Sequence, residues 1–236
     1  MKLGVNIDHI ATLRNARGGN YPSPLEGALI AQKAGAVQIT THLREDRRHI
    51  KDEDVYLIKE KINIGLNLEM AITEEMEKIA LDVCPMACCL VPEKRQEITT
   101  EGGLDVIKFE ERITELNASL HSKNILSSLF IAPDIEQIKA GKRTDADYIE
   151  LHTGFFAESF EKGNYKEELQ KLKEAAIFAQ SIGLKVNAGH GLNYDNVYLM
   201  KEIPNLQELN IGHSIISKAV FTGLNQAVCD MISLIM

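Results

Sequence analysis

Five of the seven histidines, His9, His42, His152, His190 and His213, each close a short run that reads as a β-strand. The runs are G-V-N-I-D-H, V-Q-I-T-T-H, Y-I-E-L-H, L-K-V-N-A-G-H and E-L-N-I-G-H. Glu69 closes a sixth, I-G-L-N-L-E. Imidazoles titrate near neutrality, and a partly desolvated carboxyl is pushed toward it, so these groups together can take and give protons in series. They are scattered over the whole chain. In a closed parallel barrel, however, the carboxyl ends of the strands converge on one face, and the loops of that face carry the chemistry.

Four constellations stand out. In N-I-D-H-I-A-T-L-R-N-A-R-G-G, strand alternation is expected to send Asn6 and Asp8 into the barrel together, with Arg14 and Arg17 in the loop above. T-T-H-L-R-E-D-R-R-H packs two histidines, His42 and His49, with three arginines, Arg44, Arg47 and Arg48, whose planar forks match phosphate oxygens. Glu69 and Glu150 sit near strand tips, and Glu150 shares a strand face with His152. N-A-G-H-G and N-I-G-H-S set His190, Gly191, Gly212 and His213 in two loops near the end of the chain, the second leading into a helix. Glycine lets backbone N–H groups approach an anion, and the loops after strands seven and eight are the recurrent phosphate site of barrels. The plainer alternatives are a structural Asp8–arginine pair, a solvated charge run over 40–49 and a Glu69–arginine salt bridge. His121, late in a helix, is expected only to cap or solvate it.

The elements that would position these groups follow from the hydrophobic periodicity. Strands read near 2–8, 36–41, 63–69, 86–91, 125–131, 146–152, 184–188 and 207–211. Helices read near 24–34, 52–61, 73–82, 109–121, 134–142, 165–182, 194–202 and 213–234. Strict alternation of eight strands and eight helices predicts one α/β domain over 1–236, a TIM (β/α)8 barrel. Residues 9–23 and 92–108 read as long polar βα loops, the second a candidate lid. The last helix is apolar nearly all round, which suggests a subunit contact.

Bulk properties narrow the function. The net charge of −8 disfavours nucleic acid and anionic lipid, while residues 1–50 carry seven Lys or Arg against four acids. A cationic patch on an acidic chain suits a small anionic substrate. No G-x-G-x-x-G follows the first strand, and the first strand ends D-H where barrel metallohydrolases generally carry H-x-H. No metal is therefore expected. The C-x3-C-C of Cys84, Cys88 and Cys89 is not a usual zinc spacing and reads as buried thiols. With no signal sequence and no long apolar span, a cytoplasmic location is expected.

Taken together, the motifs resemble the pyridoxine 5′-phosphate synthase family. The matching stretches are G-V-N-I-D-H-I-A-T-L-R-N-A-R-G, T-H-L-R-E-D-R-R-H-I, N-L-E-M-A, L-V-P-E-K-R-Q-E-x-T-T-E-G-G-L-D-V, I-E-L-H-T-G, L-K-V-N-A-G-H-G-L and E-L-N-I-G-H, in order from residue 4 to 213. The resemblance implies a TIM barrel with extra helices, assembled as a homo-octamer from dimers, without a cofactor. It implies condensation of 3-amino-2-oxopropyl phosphate with 1-deoxy-D-xylulose 5-phosphate to pyridoxine 5′-phosphate, phosphate and water. By position, Asn6, Gly191, Gly212 and His213 would hold the amino-ketone phosphate. Asp8, His9, Arg17, Arg44, His49 and Thr99 would hold the deoxyxylulose phosphate. His42 and Glu69 would accept protons, His190 would donate one, and Glu150 would stabilise the transition state. Thr99 is added by the resemblance alone. Rival readings are a single-substrate sugar-phosphate isomerase or aldolase, for which Lys185 is poorly placed as a Schiff base, and a silent binder of a B6 phosphate.

Overall fold

The structure, a computed structural model, describes residues 1–100 and 102–236. Eight strands close into a barrel in sequence order: β1 Lys2–Asn6, β2 Gln38–His42, β3 Gly65–Met70, β4 Ala87–Leu90, β5 Leu126–Ile131, β6 Tyr148–His152, β7 Lys185–Gly189 and β8 Glu208–Ile211. Every neighbouring pair is parallel, and β8 returns to β1 through Leu3↔Leu209 and Val5↔Ile211. The helices are α1 Asp8–Arg17, α2 Pro24–Lys33, α3 Asp52–Lys61, α4 Glu74–Val83, α5 Glu110–Ser122, α6 Ile135–Arg143, α7 Gly154–Glu161, α8 Lys166–Ser181, α9 His213–Thr222 and α10 Leu224–Ile235.

Alternation along the strands divides the molecule into two interiors. One set of side chains, among them Val5, Ile39, Leu68, Leu90, Leu129, Ile149, Val186 and Leu209, packs under the helices and is fully buried. The other set faces the barrel axis and is largely polar: Gln38, Thr40, Asn67, Ser128, Glu150, Asn187, Glu208 and Asn210, all buried. Burying so many polar groups is costly unless they are bonded or used. Many are bonded to one another across the barrel. Gln38 Nε2 donates to Glu208 Oε1 (2.8 Å), Thr40 Oγ1 to Asn210 Oδ1 (2.9 Å) and Asn210 Nδ2 to Glu150 Oε2 (2.7 Å).

Helix starts follow local chemistry. Ser23, Thr73 and Asp134 accept backbone N–H groups at the heads of α2, α4 and α6. The fold departs from the sequence expectation in four places. Residues 9–23, read as a loop, contain α1. Its Asp8 lies in the first turn and Arg14 and Arg17 in the last, which complements the helix dipole, while Ile10 and Ala11 are buried. A helix, α7, follows β6 where none was expected; it buries Phe156 and Ala157. The stretch 194–202 yields only a 3₁₀ segment, Val197–Glu202. There the Asn193 side chain accepts the N–H groups of Asp195 and Asn196, and that local turn competes with an α-helix. Finally, the single helix expected over 213–234 is two, broken at Gly223. Among the cysteines expected to be buried, Cys88 and Cys89 are, whereas Cys84 is half-buried at the end of α4. His121 does more than solvate its helix: its Nε2 lies 2.9 Å from Asp147 Oδ2. Among the described residues, no helix is long and apolar enough to cross a membrane.

Candidate active site

At the carboxyl ends of the strands a pocket of about 950 Å³ opens into the barrel. Asn6, Asp8, His9, His42, Arg44, Glu69, Glu150, His190, Gly191, Gly212 and His213 all line it, as does His152. The convergence expected from strand-end histidines is therefore present. Three residues singled out in the sequence stand elsewhere. His49 lies just behind the wall, its ring 6.1 Å from that of His42. Thr99 forms a tight turn in the loop after β4, where Ile98 bridges Leu104. Arg17 is exposed at the end of α1, away from the pocket lining. The matching motif T-T-E-G-G includes Glu101, which lies outside the described residues.

Asp8 reaches the pocket from the first turn of α1 rather than from a strand. Asn6 brings it there: Asn6 Oδ1 accepts the Asp8 N–H (2.9 Å), and Asn6 Nδ2 donates to Asp8 Oδ2 (3.0 Å) and toward Glu69 Oε2 (3.4 Å). The other Asp8 oxygen accepts the N–H of His42 (2.9 Å), which ties the ends of β1 and β2 together. Burial lifts the Asp8 carboxyl to about 6, against the lowering pull of the His42 N–H bond. Among the described residues no arginine lies within ion-pair distance of Asp8, although the Arg44 charge also lowers its carboxyl somewhat. Arg14 instead makes a buried two-pronged ion pair with Asp54 (2.6 and 2.8 Å) and donates to the carbonyl of His49 (3.1 Å). That clamp fastens α1 to the loop that carries His49.

His42 and Glu69 stand in register on β2 and β3, with His42 Nδ1 3.8 Å from Glu69 Oε2. Burial, and then the nearby Asp8 and Glu150 carboxylates, raise the Glu69 carboxyl well above its usual range. Glu150, on the opposite wall, is lifted by burial to about 7 although Asn210 donates to it. All three acids thus hold a proton more tightly than a free carboxyl within one cavity, which suits proton transfer near neutral pH. His190 is depressed below the usual imidazole value by burial, and its ring lies 4.9 Å from that of His152. His49 is pushed down to about 4, by burial first and then by His42 and Arg44. It stays neutral at physiological pH. Its Nδ1 accepts the N–H of Ile50 (2.9 Å), so Nε2 carries the proton and can only donate.

The anion side of the pocket is built by Gly212, the first turn of α9 and His9. A Cβ at Gly212 would come 2.9 Å from the Asn6 Cβ, so only glycine lets the strand end pass Asn6 so closely. Gly212, His213 and Ser214, at the head of α9, line the cavity, and a helix N-terminus attracts phosphate. His9 and His213 meet edge to face at 5.1 Å in the same corner. Asp8, His42 and Glu69 also bring one ligand atom each within 4.8 Å of one another.

One residue of consequence escaped the sequence reading. The Glu93 side chain is 4% exposed, and its Oε1 lies 2.9 Å from His42 Nε2. It was present in L-V-P-E-K-R-Q-E, but nothing in its spacing ties it to β2. Asn210 and Phe130 also line the pocket and were not singled out.

A closed parallel barrel with acids, imidazoles and an anion corner at its carboxyl face defines an enzyme that moves protons on small anionic molecules. Likeness to solved barrels supports the fold: phosphoribosyl anthranilate isomerase from Thermotoga maritima superposes with TM-score 0.64 at 13% identity, over 100% of this chain and 98% of that one. Residues 3–236 match the family described as Pyridoxal phosphate biosynthesis protein PdxJ, and the chain belongs to it. It is 56% identical to the pyridoxine 5′-phosphate synthase of Idiomarina loihiensis over 98% of this chain and 96% of that protein. It is 55% identical to the synthase of Geotalea daltonii, over 99% and 98% respectively.

Proposed function

We propose that this chain is a pyridoxine 5′-phosphate synthase that joins 3-amino-2-oxopropyl phosphate to 1-deoxy-D-xylulose 5-phosphate, releasing phosphate and water. Family membership supports the activity. The observation that carries the mechanism is the pocket itself, which joins three carboxyls and a ring of histidines to an anion corner. An amine must add to a ketone, water and phosphate must leave, and a carbon–carbon bond must close the ring. Each step moves a proton, and a positioned general acid or base is worth about 10²–10⁴-fold per step. His42 and Glu69 act as proton acceptors, His190 as a donor, and Glu150 stabilises the transition state across the cavity. Asn6, Gly191, Gly212 and His213 hold one phosphate ester. Asp8, His9 and Arg44 hold the other, with the Nε2–H of His49, Thr99 and Arg17 joining from outside the pocket wall. Two phosphate handles keep the partners in register, which makes a bimolecular reaction effectively unimolecular.

In the same reading, residues 92–103 close over the bound substrates to keep water from imine and enol intermediates. The protein self-associates, as an octamer built from dimers, through its exposed apolar surface, and works in the cytoplasm. Product formation tests the reading: pyridoxine 5′-phosphate and phosphate should appear only when purified protein receives both substrates, also with a chelator present. Turnover of either substrate alone would overturn it in favour of an isomerase or aldolase. Binding without turnover would leave a silent binder.

A further inference from the structure

The His42 side chain is held between two carboxyl groups that come from different elements. Glu69 Oε2 faces Nδ1 across 3.8 Å, too long for a hydrogen bond, while Glu93 Oε1 sits at hydrogen-bond distance (2.9 Å) from Nε2. Glu93 is itself held firmly. Its Oε2 accepts the backbone N–H of Glu45 (3.0 Å) and lies 3.9 Å from the Arg44 guanidinium. Its own N–H and that of Lys94 both donate to Glu97 Oε2, at 2.9 and 3.1 Å, and Glu97 is buried. Burial alone would raise the Glu93 carboxyl, but the hydrogen bond with His42 first, and then the Glu45 N–H and the Arg44 guanidinium, hold it below the usual carboxylate range. An ionised carboxylate can only accept. The proton on the His42 ring must then sit on Nε2, and the lone pair on Nδ1 must face the cavity.

We propose that Glu93 is the positioning residue of His42: it fixes the ring as the Nε2–H tautomer, so that Nδ1 is the atom that takes a proton from substrate. The inference rests on the reading of His42 as a proton acceptor. The proton taken at Nδ1 leaves an imidazolium whose Nε2–H stays bonded to Glu93, and the Glu93 carboxylate keeps its charge throughout. Its role is that of the third group behind a general base, which sets tautomer and orientation and steadies the cation that forms. Because Glu93 lies at the root of the loop after β4 and grips the loop after β2, the base is set only when both loops are in place.

The test is long-range proton–nitrogen NMR on protein labelled with ¹⁵N-histidine, alongside steady-state kinetics. In the wild type, His42 should show a protonated Nε2 and a bare Nδ1. Glu93→Gln keeps an acceptor but loses the charge, so the tautomer should persist while kcat falls about tenfold at nearly constant KM. Glu93→Ala should mix the tautomers and cut kcat by about 10²-fold. A bare Nε2 in the wild type, or a Glu93→Ala protein with unchanged His42 tautomer, overturns the proposal, as does a shifted tautomer with undiminished kcat. If the alanine variant does not fold, Glu93→Asp, which draws the carboxylate back by one methylene, decides by the same spectrum. Wild-type protein that makes no product would bring down the activity reading alone, since the nitrogen shifts report the tautomer without turnover.

Discussion

At the scale of single residues, the pocket gathers carboxyls that hold their protons more tightly than free ones. Glu69 is the clearest case, lifted by burial and by its acidic neighbours, and placed against His42. Glu69→Gln should lower kcat by about 10²–10⁴-fold while leaving KM for each phosphate ester close to wild type, because phosphate binding is supplied elsewhere. Steady-state kinetics with one substrate varied at a time would show this, and a large rise in KM with kcat intact would contradict it. Glu208 carries the same physics away from the pocket lining. Burial lifts it from 4.5 to about 7, and it accepts from Gln38 on the barrel axis. A carboxyl whose pKa rises on folding stabilises the protein below its unfolded pKa, and that stability is lost as pH climbs through the folded value. Between pH about 4.5 and about 7 Glu208 therefore works against stability, progressively more as pH rises. Glu208→Gln keeps the acceptor for Gln38 and removes the charge. Its stability advantage over wild type should be near zero at pH 4 and grow to about 1–3 kcal/mol at pH 8, read from urea melts. An advantage that did not change with pH would refute the account.

At the scale of elements, the loops and helix breaks decide what the site can do. Gly223 separates α9 from α10 at φ 80°, ψ 150°, a region essentially closed to other residues, and an added Cβ would meet nothing within 4 Å. The cost of replacing it is thus backbone strain alone. Gly223→Ala should destabilise by about 1–3 kcal/mol, seen as a lower denaturation midpoint with unchanged slope. The loop after β4 carries Glu93, Glu97 and Thr99, with Lys94 and Arg95 exposed between them. If it closes on substrate, trypsin cleavage at Lys94 or Arg95 should slow when both substrates are added. Equal rates with and without them would remove the lid from the mechanism.

For the whole molecule, the question is what the outer surface does. The last helix was expected to pack one face on the barrel and to offer its apolar excess to another subunit; the packed face is Ala227, Val228, Met231 and Ile235 of α10, all buried. Exposed apolar side chains gather at the end of α9, within the same expected helix, and just before α2, with Phe221 87%, Tyr21 77% and Val220 68% exposed. In the proposed assembly this patch is the surface that would be covered. Wild-type protein should sediment well above its 26.3 kDa chain mass, and Phe221→Asp should shift it toward that mass. A wild type that sediments as a single chain would rule out self-association.

Much of this was legible in the sequence because it is local or periodic. Alternating strand-like and helix-like runs foretold the barrel, since an apolar period is a property of neighbouring residues. Histidines and acids at strand ends foretold the pocket, because parallel closure brings those ends together whatever the loops do. Where local turn chemistry or a single glycine competed with the period, as at 194–202 and Gly223, the pattern misled. Only the tertiary structure decided that Asp8 enters from a helix, that Arg14 clamps Asp54 and that Glu93 grips His42. Those contacts join residues 40 and 51 positions apart, or turn on a change of element within a few residues. No spacing along the chain encodes them, because they depend on where separate loops come to rest on one closed barrel.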